Sequence, residues 1–106
     1  MTTLALSLIT AATAEAHEKH GRSFEAASLA DRMLIMGEEF GEIARAVMDL
    51  AAARAAADTW REMAPGTLAV LRSAHEAVRA AQAHVLHEVA QLGSLCMRWL
   101  EVDGAK

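Results

Sequence analysis

A single proline, Pro65, divides this chain, and on both sides of it apolar residues recur at steps of three and four. Pro65-Gly66 stops a helix, because proline lacks an amide proton and its ring clashes with the preceding turn. The chain must therefore build long helices on either side of one break. After it, Leu71, Ala74, Val78, Ala81, Val85, Glu88, Leu92, Leu95 and Trp99 keep helical spacing without a slip, which predicts a helix from about Leu68 to Leu100. Before it, Leu29, Met33, Met36, Phe40, Ile43, Val47 and Leu50 form a second seam. Ser28, with Asp31 three residues on, suits the start of that helix, and alanine propensity carries it to about Asp58. "WREMAPGT" is the break, and Thr67 can cap the helix that follows.

A first helix from about Leu4 to Lys19 is expected to end at His20-Gly21, where glycine suits a cap. "GRSFEAA" reads as a short polar connection and the tail "EVDGAK" as frayed. The expected fold is all-α, a single domain over residues 1–106, with about three main helices in an antiparallel bundle. Apolar types reach 54%, but much of that is alanine and aromatics are only 4%. Alanine buries little area, so one copy has a thin core. Homo-oligomerisation is expected to complete the bundle.

The formal net charge is −4 and the cationic residues are scattered, which argues against a nucleic-acid polymer as partner. Cys96 stands alone, so neither an internal disulfide nor a thiolate zinc site can form, and a cytoplasmic location is the expectation. In its apolar setting Cys96 reads as an inert packing residue. The opening "MTTLALSLITAATAEAH" lacks the positive start of a secretory signal and reads as helix. No unbroken apolar run is long enough to span a membrane.

"GEEFGEIARAV" puts three glutamates into five residues beside an apolar seam, and Glu88 lies on a seam itself. A buried carboxylate is costly unless paired, protonated or bound to metal. Glu39 and Glu42 are three apart and Glu38 and Glu42 four apart, so all project from neighbouring turns. Antiparallel packing of the two long helices would bring Glu39 and Glu42 to the level of Glu88 and Gln91. Three carboxylates and an amide oxygen form a hard oxygen cage of the kind Mg²⁺ or Mn²⁺ takes. Glu-x-x-Glu is common on helix surfaces, and Glu15 and Glu18 repeat it on the first helix, so the spacing alone is a weak signal.

"EEFGEIARAV" followed by "HEVAQLGSLCMRWLE" resembles the MazG-like, all-α nucleoside triphosphate pyrophosphohydrolase superfamily, over roughly Ser28 to Glu101. The resemblance implies a helical dimer or tetramer that binds Mg²⁺ and splits a nucleoside triphosphate into monophosphate and pyrophosphate. Glu39 and Glu42 match the family's first acidic pair and Glu88 its third ligand. Gln91 stands where the family usually has aspartate, and the stretch from Glu42 to Glu88 is longer than usual. Glu38 is the candidate to orient or deprotonate the attacking water. Lys19, His20 and Arg22, beside His17, are candidates to hold the outer phosphates, although basic residues also favour a helix end for electrostatic reasons. Trp60, next to the break, is a candidate to stack on the base. His84, one turn before Glu88, reads as a rim residue or a hydrogen-bond partner of that acid. The competing expectation is a non-catalytic, oligomeric helical interaction module whose metal site has degenerated through Gln91.

Overall fold

The computed structural model describes residues 2–20, 23–63 and 66–104, with side chains described for 2–15, 24–63 and 66–104. Four helices follow one another: α1 (Thr3–His20), α2 (Ser23–Ala26), α3 (Leu29–Met63) and α4 (Leu68–Gly104). Among the described residues there is no strand, so the chain is all-α. None of these helices is long and apolar enough to cross a membrane.

The start of α3 is the one the sequence predicts. The amide of Asp31 donates to Ser28 Oγ at 3.2 Å, and the Ser28 carbonyl accepts from Arg32 N at 2.9 Å. α3 passes Asp58 and ends at Met63, just before Pro65. At the start of α4, the Thr67 carbonyl accepts from Leu71 N at 3.1 Å. α3 and α4 then run antiparallel: Ala57 meets Ala74 near the turn, and Glu42 meets Glu88 farther along.

α4 is the centre of the molecule, with α1, α2 and α3 all packed on it and no comparable packing between α1 and α3. Small residues let α1 approach α4 closely. Ile9 lies over Gly93, where an added Cβ would already touch its side chain at 3.4 Å. One turn farther along α1, Thr13 Oγ1 and the fully buried Ser94 Oγ share a 2.7 Å hydrogen bond. At 18 residues α1 is about 27 Å long and α4, at 37 residues, about 55 Å. The half of the hairpin nearest Pro65 therefore has no third helix beside it, and the molecule is elongated, 62 × 28 × 23 Å.

Besides the α3 seam, three sequence expectations are corrected. The "polar connection" after Arg22 contains α2, whose Phe24 is the largest fully buried side chain at 2% exposure. The tail is not frayed through Gly104: Arg32 Nη1 pairs with Asp103 Oδ1 at 3.1 Å, and Trp99 Nε1 donates to Asp103 Oδ2 at 2.7 Å. Glu25 closes this latch. Its carboxylate receives both Nε and Nη2 of Arg98, the latter at 2.7 Å, and its carbonyl accepts from Arg32 Nη2 at 2.9 Å. Phe24 packs edge-on against Trp99, centroids 6.2 Å apart, with the guanidiniums of Arg32 and Arg98 over its ring. Third, Cys96 is exposed rather than packed.

The two seams have different fates. Every seam residue of α4 is buried or half-buried, as predicted. On α3 the face turned to α4 is Arg32, Glu39, Ala46 and Ala57, with Ala53 half-buried between the last two. Met36, Ile43 and Leu50 lie at its edge, half-buried, while Leu29, Met33, Phe40 and Val47 are exposed. The apolar stripe faces outward because the latch ties Arg32 to α4, and rotating α3 to bury Phe40 would tear Arg32 from Asp103. The buried apolar side chains among the described residues are accordingly four alanines with Phe24 and Leu95, a thin core for a chain of this length.

Candidate metal centre

Positions 32, 39 and 46 are seven apart, two helical turns, so the face that carries Arg32 and Ala46 against α4 also carries Glu39. Glu39 is 8% exposed as a result. Glu42, nearly one turn on, lies at the rim of the groove and is exposed. From the opposite side, α4 presents Glu88, seven residues after Ala81 and seven before the buried Leu95, at 9% exposure. One carboxylate oxygen from each of Glu39, Glu42 and Glu88 lies within 4.8 Å of the other two. The helices thus bring together the acids that the sequence singled out.

Their electrostatics are unfavourable as they stand. Burial pushes the Glu88 carboxyl above its ordinary pKa of 4.5, and a hydrogen bond with Glu42 and its negative charge push the same way. His87 and His84 oppose this only in part. His84 Nε2 is 3.5 Å from Glu88 Oε1, whereas Glu88 Oε2 is buried and no donor among the described residues reaches it. A buried carboxylate oxygen without a donor is expensive. A divalent ion would relieve both the missing contact and the repulsion, and an all-carboxylate donor set fits a hard ion such as Mg²⁺.

The other candidates fare differently. Gln91 is buried at the same level, but its amide Nε2 lies 3.2 Å from His87 Nε2, and His87 also approaches Glu15 Oε1 of α1 at 3.5 Å. Its amide nitrogen is thus engaged along α4. Glu38 is exposed, one turn before Glu42, and is not part of the three-carboxylate group. Trp60 is remote. It lies eighteen residues beyond Glu42 on the same helix, roughly 27 Å at 1.5 Å per residue, in an alanine-lined groove with Ala56 and Ala77. Within one chain it does not reach the acids. The side chains of Lys19, His20 and Arg22 fall outside the described residues.

Two residues escaped the sequence reading. Arg45 and Asp49 line a cavity of about 430 Å³ together with Glu42, His84 and Glu88. The signal was available, since Glu38, Glu42, Arg45 and Asp49 step by four, three and four and so share one helix face. The chain matches no protein-family profile, no curated protein and no solved structure.

Proposed function

We propose that this chain is a Mg²⁺-dependent nucleoside triphosphate pyrophosphohydrolase, Mn²⁺ being an acceptable substitute, and that it works as a homo-oligomer. The observation that carries this reading is the convergence of Glu39, Glu42 and Glu88 within 4.8 Å, with a Glu88 oxygen buried and lacking a donor. The likeness of the acidic motif to the MazG-like superfamily supplies the reaction class. Glu39, Glu42 and Glu88 would hold the ion, and Gln91 would join them by turning its amide from His87. The ion, when bound, neutralises phosphate charge and lowers the pKa of a bound water. Glu38, at the exposed rim, would orient that water and take its proton as it attacks phosphorus in line with the leaving group, so that monophosphate and pyrophosphate separate.

Cytoplasmic placement belongs to the same proposal and rests on the unpaired Cys96. A screen of the common ribo- and deoxyribonucleoside triphosphates with Mg²⁺ tests the reading directly. At least one should yield monophosphate and pyrophosphate in equal amounts, and release of inorganic phosphate or of nothing would sink it.

A second reading, a non-catalytic helical interaction module, is favoured by one observation, the engagement of Gln91 with His87 where the family has an acid. Thermal unfolding during a Mg²⁺ titration separates the two. An enzyme gains stability by mass action as the ion fills its site, and the module does not.

A further inference from the structure

Arg45 sits nearly one turn beyond Glu42 on α3, in the cavity that Glu42 and Glu88 share with Asp49 and His84. It is exposed. Although Glu42 is three residues before it and Asp49 four after, no carboxylate among the described residues lies within 4.0 Å of its guanidinium. Four of the other described arginines serve elsewhere. Arg32 and Arg98 are buried in the latch, while Arg54 and Arg61 line a separate cavity near the Pro65 turn. Among the described residues, Arg45 is the only arginine lining the cavity next to the carboxylate cluster.

We infer that Arg45 is the phosphate-binding residue of this site, its guanidinium taking two oxygens of the phosphate next to the one held at Glu39, Glu42 and Glu88. The inference rests on the proposed function and deepens it by assigning the polyphosphate tail of the substrate to a particular part of the α3–α4 groove. The chemistry suits the task. A guanidinium presents a planar fork of donors that matches two phosphate oxygens, and it keeps its charge at any working pH. The order of residues suits it as well. From Glu42 to Arg45 the helix rises about 4.5 Å, so cation and metal ligands stand side by side along one face and a chain of phosphates can lie across both. Three acids line the same cavity, so an anion binds there only once a divalent ion has offset them. Phosphate binding at Arg45 must therefore depend on the metal.

The test uses the whole protein and inorganic tripolyphosphate, followed by calorimetry, with Mg²⁺ titrated alone first. Wild-type protein should bind Mg²⁺, and then tripolyphosphate only in its presence. Arg45→Ala should keep Mg²⁺ affinity within about twofold and lose at least tenfold in tripolyphosphate affinity, and Arg45→Lys should recover part of that loss. A merely structural role would alter the unfolding midpoint of Arg45→Ala and leave tripolyphosphate binding intact, which would overturn the inference. Tripolyphosphate binding by the wild type without Mg²⁺ would also overturn it. A wild-type protein that binds neither Mg²⁺ nor tripolyphosphate would instead defeat the proposed function, and this assignment with it.

Discussion

Glu88 is where a residue's chemistry and its position conflict most. Its place on the α4 seam calls for an apolar side chain, yet it brings a carboxylate to a spot 9% exposed with two other acids beside it. Glu88→Leu should stabilise the metal-free protein by on the order of 1 kcal/mol, by exchanging a buried charge for apolar area and removing one source of repulsion. The same substitution should abolish Mg²⁺-dependent pyrophosphate release, so stability and activity move in opposite directions. A Glu88→Leu protein that hydrolyses triphosphates at the wild-type rate would sink the metal-site reading. The pH dependence of the metal-free protein has a definite sign. Because the folded-state pKa of Glu88 lies above 4.5, the folded state binds more protons than the unfolded chain between 4.5 and that raised value. This group's contribution to stability is therefore fully present below 4.5 and is lost as pH rises through the folded pKa. Unfolding midpoints of wild type and Glu88→Gln, compared in chelator from pH 4 upward, should diverge, with the wild type falling behind.

Among the elements, the four-residue α2 has an influence out of proportion to its length. Phe24 is the largest fully buried side chain, and Glu25 ties Arg98 of α4 and Arg32 of α3 to the same short helix. Phe24→Ala should cost about 3–5 kcal/mol, the range for emptying a buried aromatic site, and a denaturant midpoint close to wild type would mean that α2 is not docked. The latch also explains the register of the candidate site. With Arg32 held against Asp103, the residue two turns on from Arg32 is Glu39, and it must face α4. A feature at one end of α3 thereby sets which acids enter the groove.

For the whole molecule, the consequence of that rotation is an outward apolar stripe. Leu29, Met33, Phe40 and Val47 are all exposed, Phe40 to 65%, and the hairpin near Pro65 has no third helix. An exposed stripe of this kind, beside a core made largely of alanine, is a surface suited to association. We therefore expect the chain to self-associate through α3 and the bare half of the hairpin. In sedimentation, wild type should run above monomer mass at micromolar concentration. Phe40→Asp combined with Val47→Asp should run as monomer, with lower thermal stability because the association that supported the fold is gone. A wild type that sediments as a well-folded monomer would remove the homo-oligomer from the proposal.

The helices and the α4 seam were legible in the sequence because both are local. Spacing by three and four, a Ser28 cap and a single Pro65 act within a few residues of themselves and need no knowledge of what lies opposite. Glu39, Glu42 and Glu88 were legible for a related reason, since charges beside or on an otherwise apolar seam conflict with their own neighbours. Which way α3 turned was not local. Its most apolar stripe predicted that Phe40 would be buried, and the latch made by Phe24, Glu25, Arg98 and Asp103, residues far apart in the chain, turned that stripe outward. The same long-range contacts decided that the tail is helix, whereas the contact of Gln91 with His87 and the distance of Trp60 from the acids are each set along a single helix. Periodicity can say that a helix has faces. Only the partners that meet those faces, brought close by the chain's path through space, decide which one is buried.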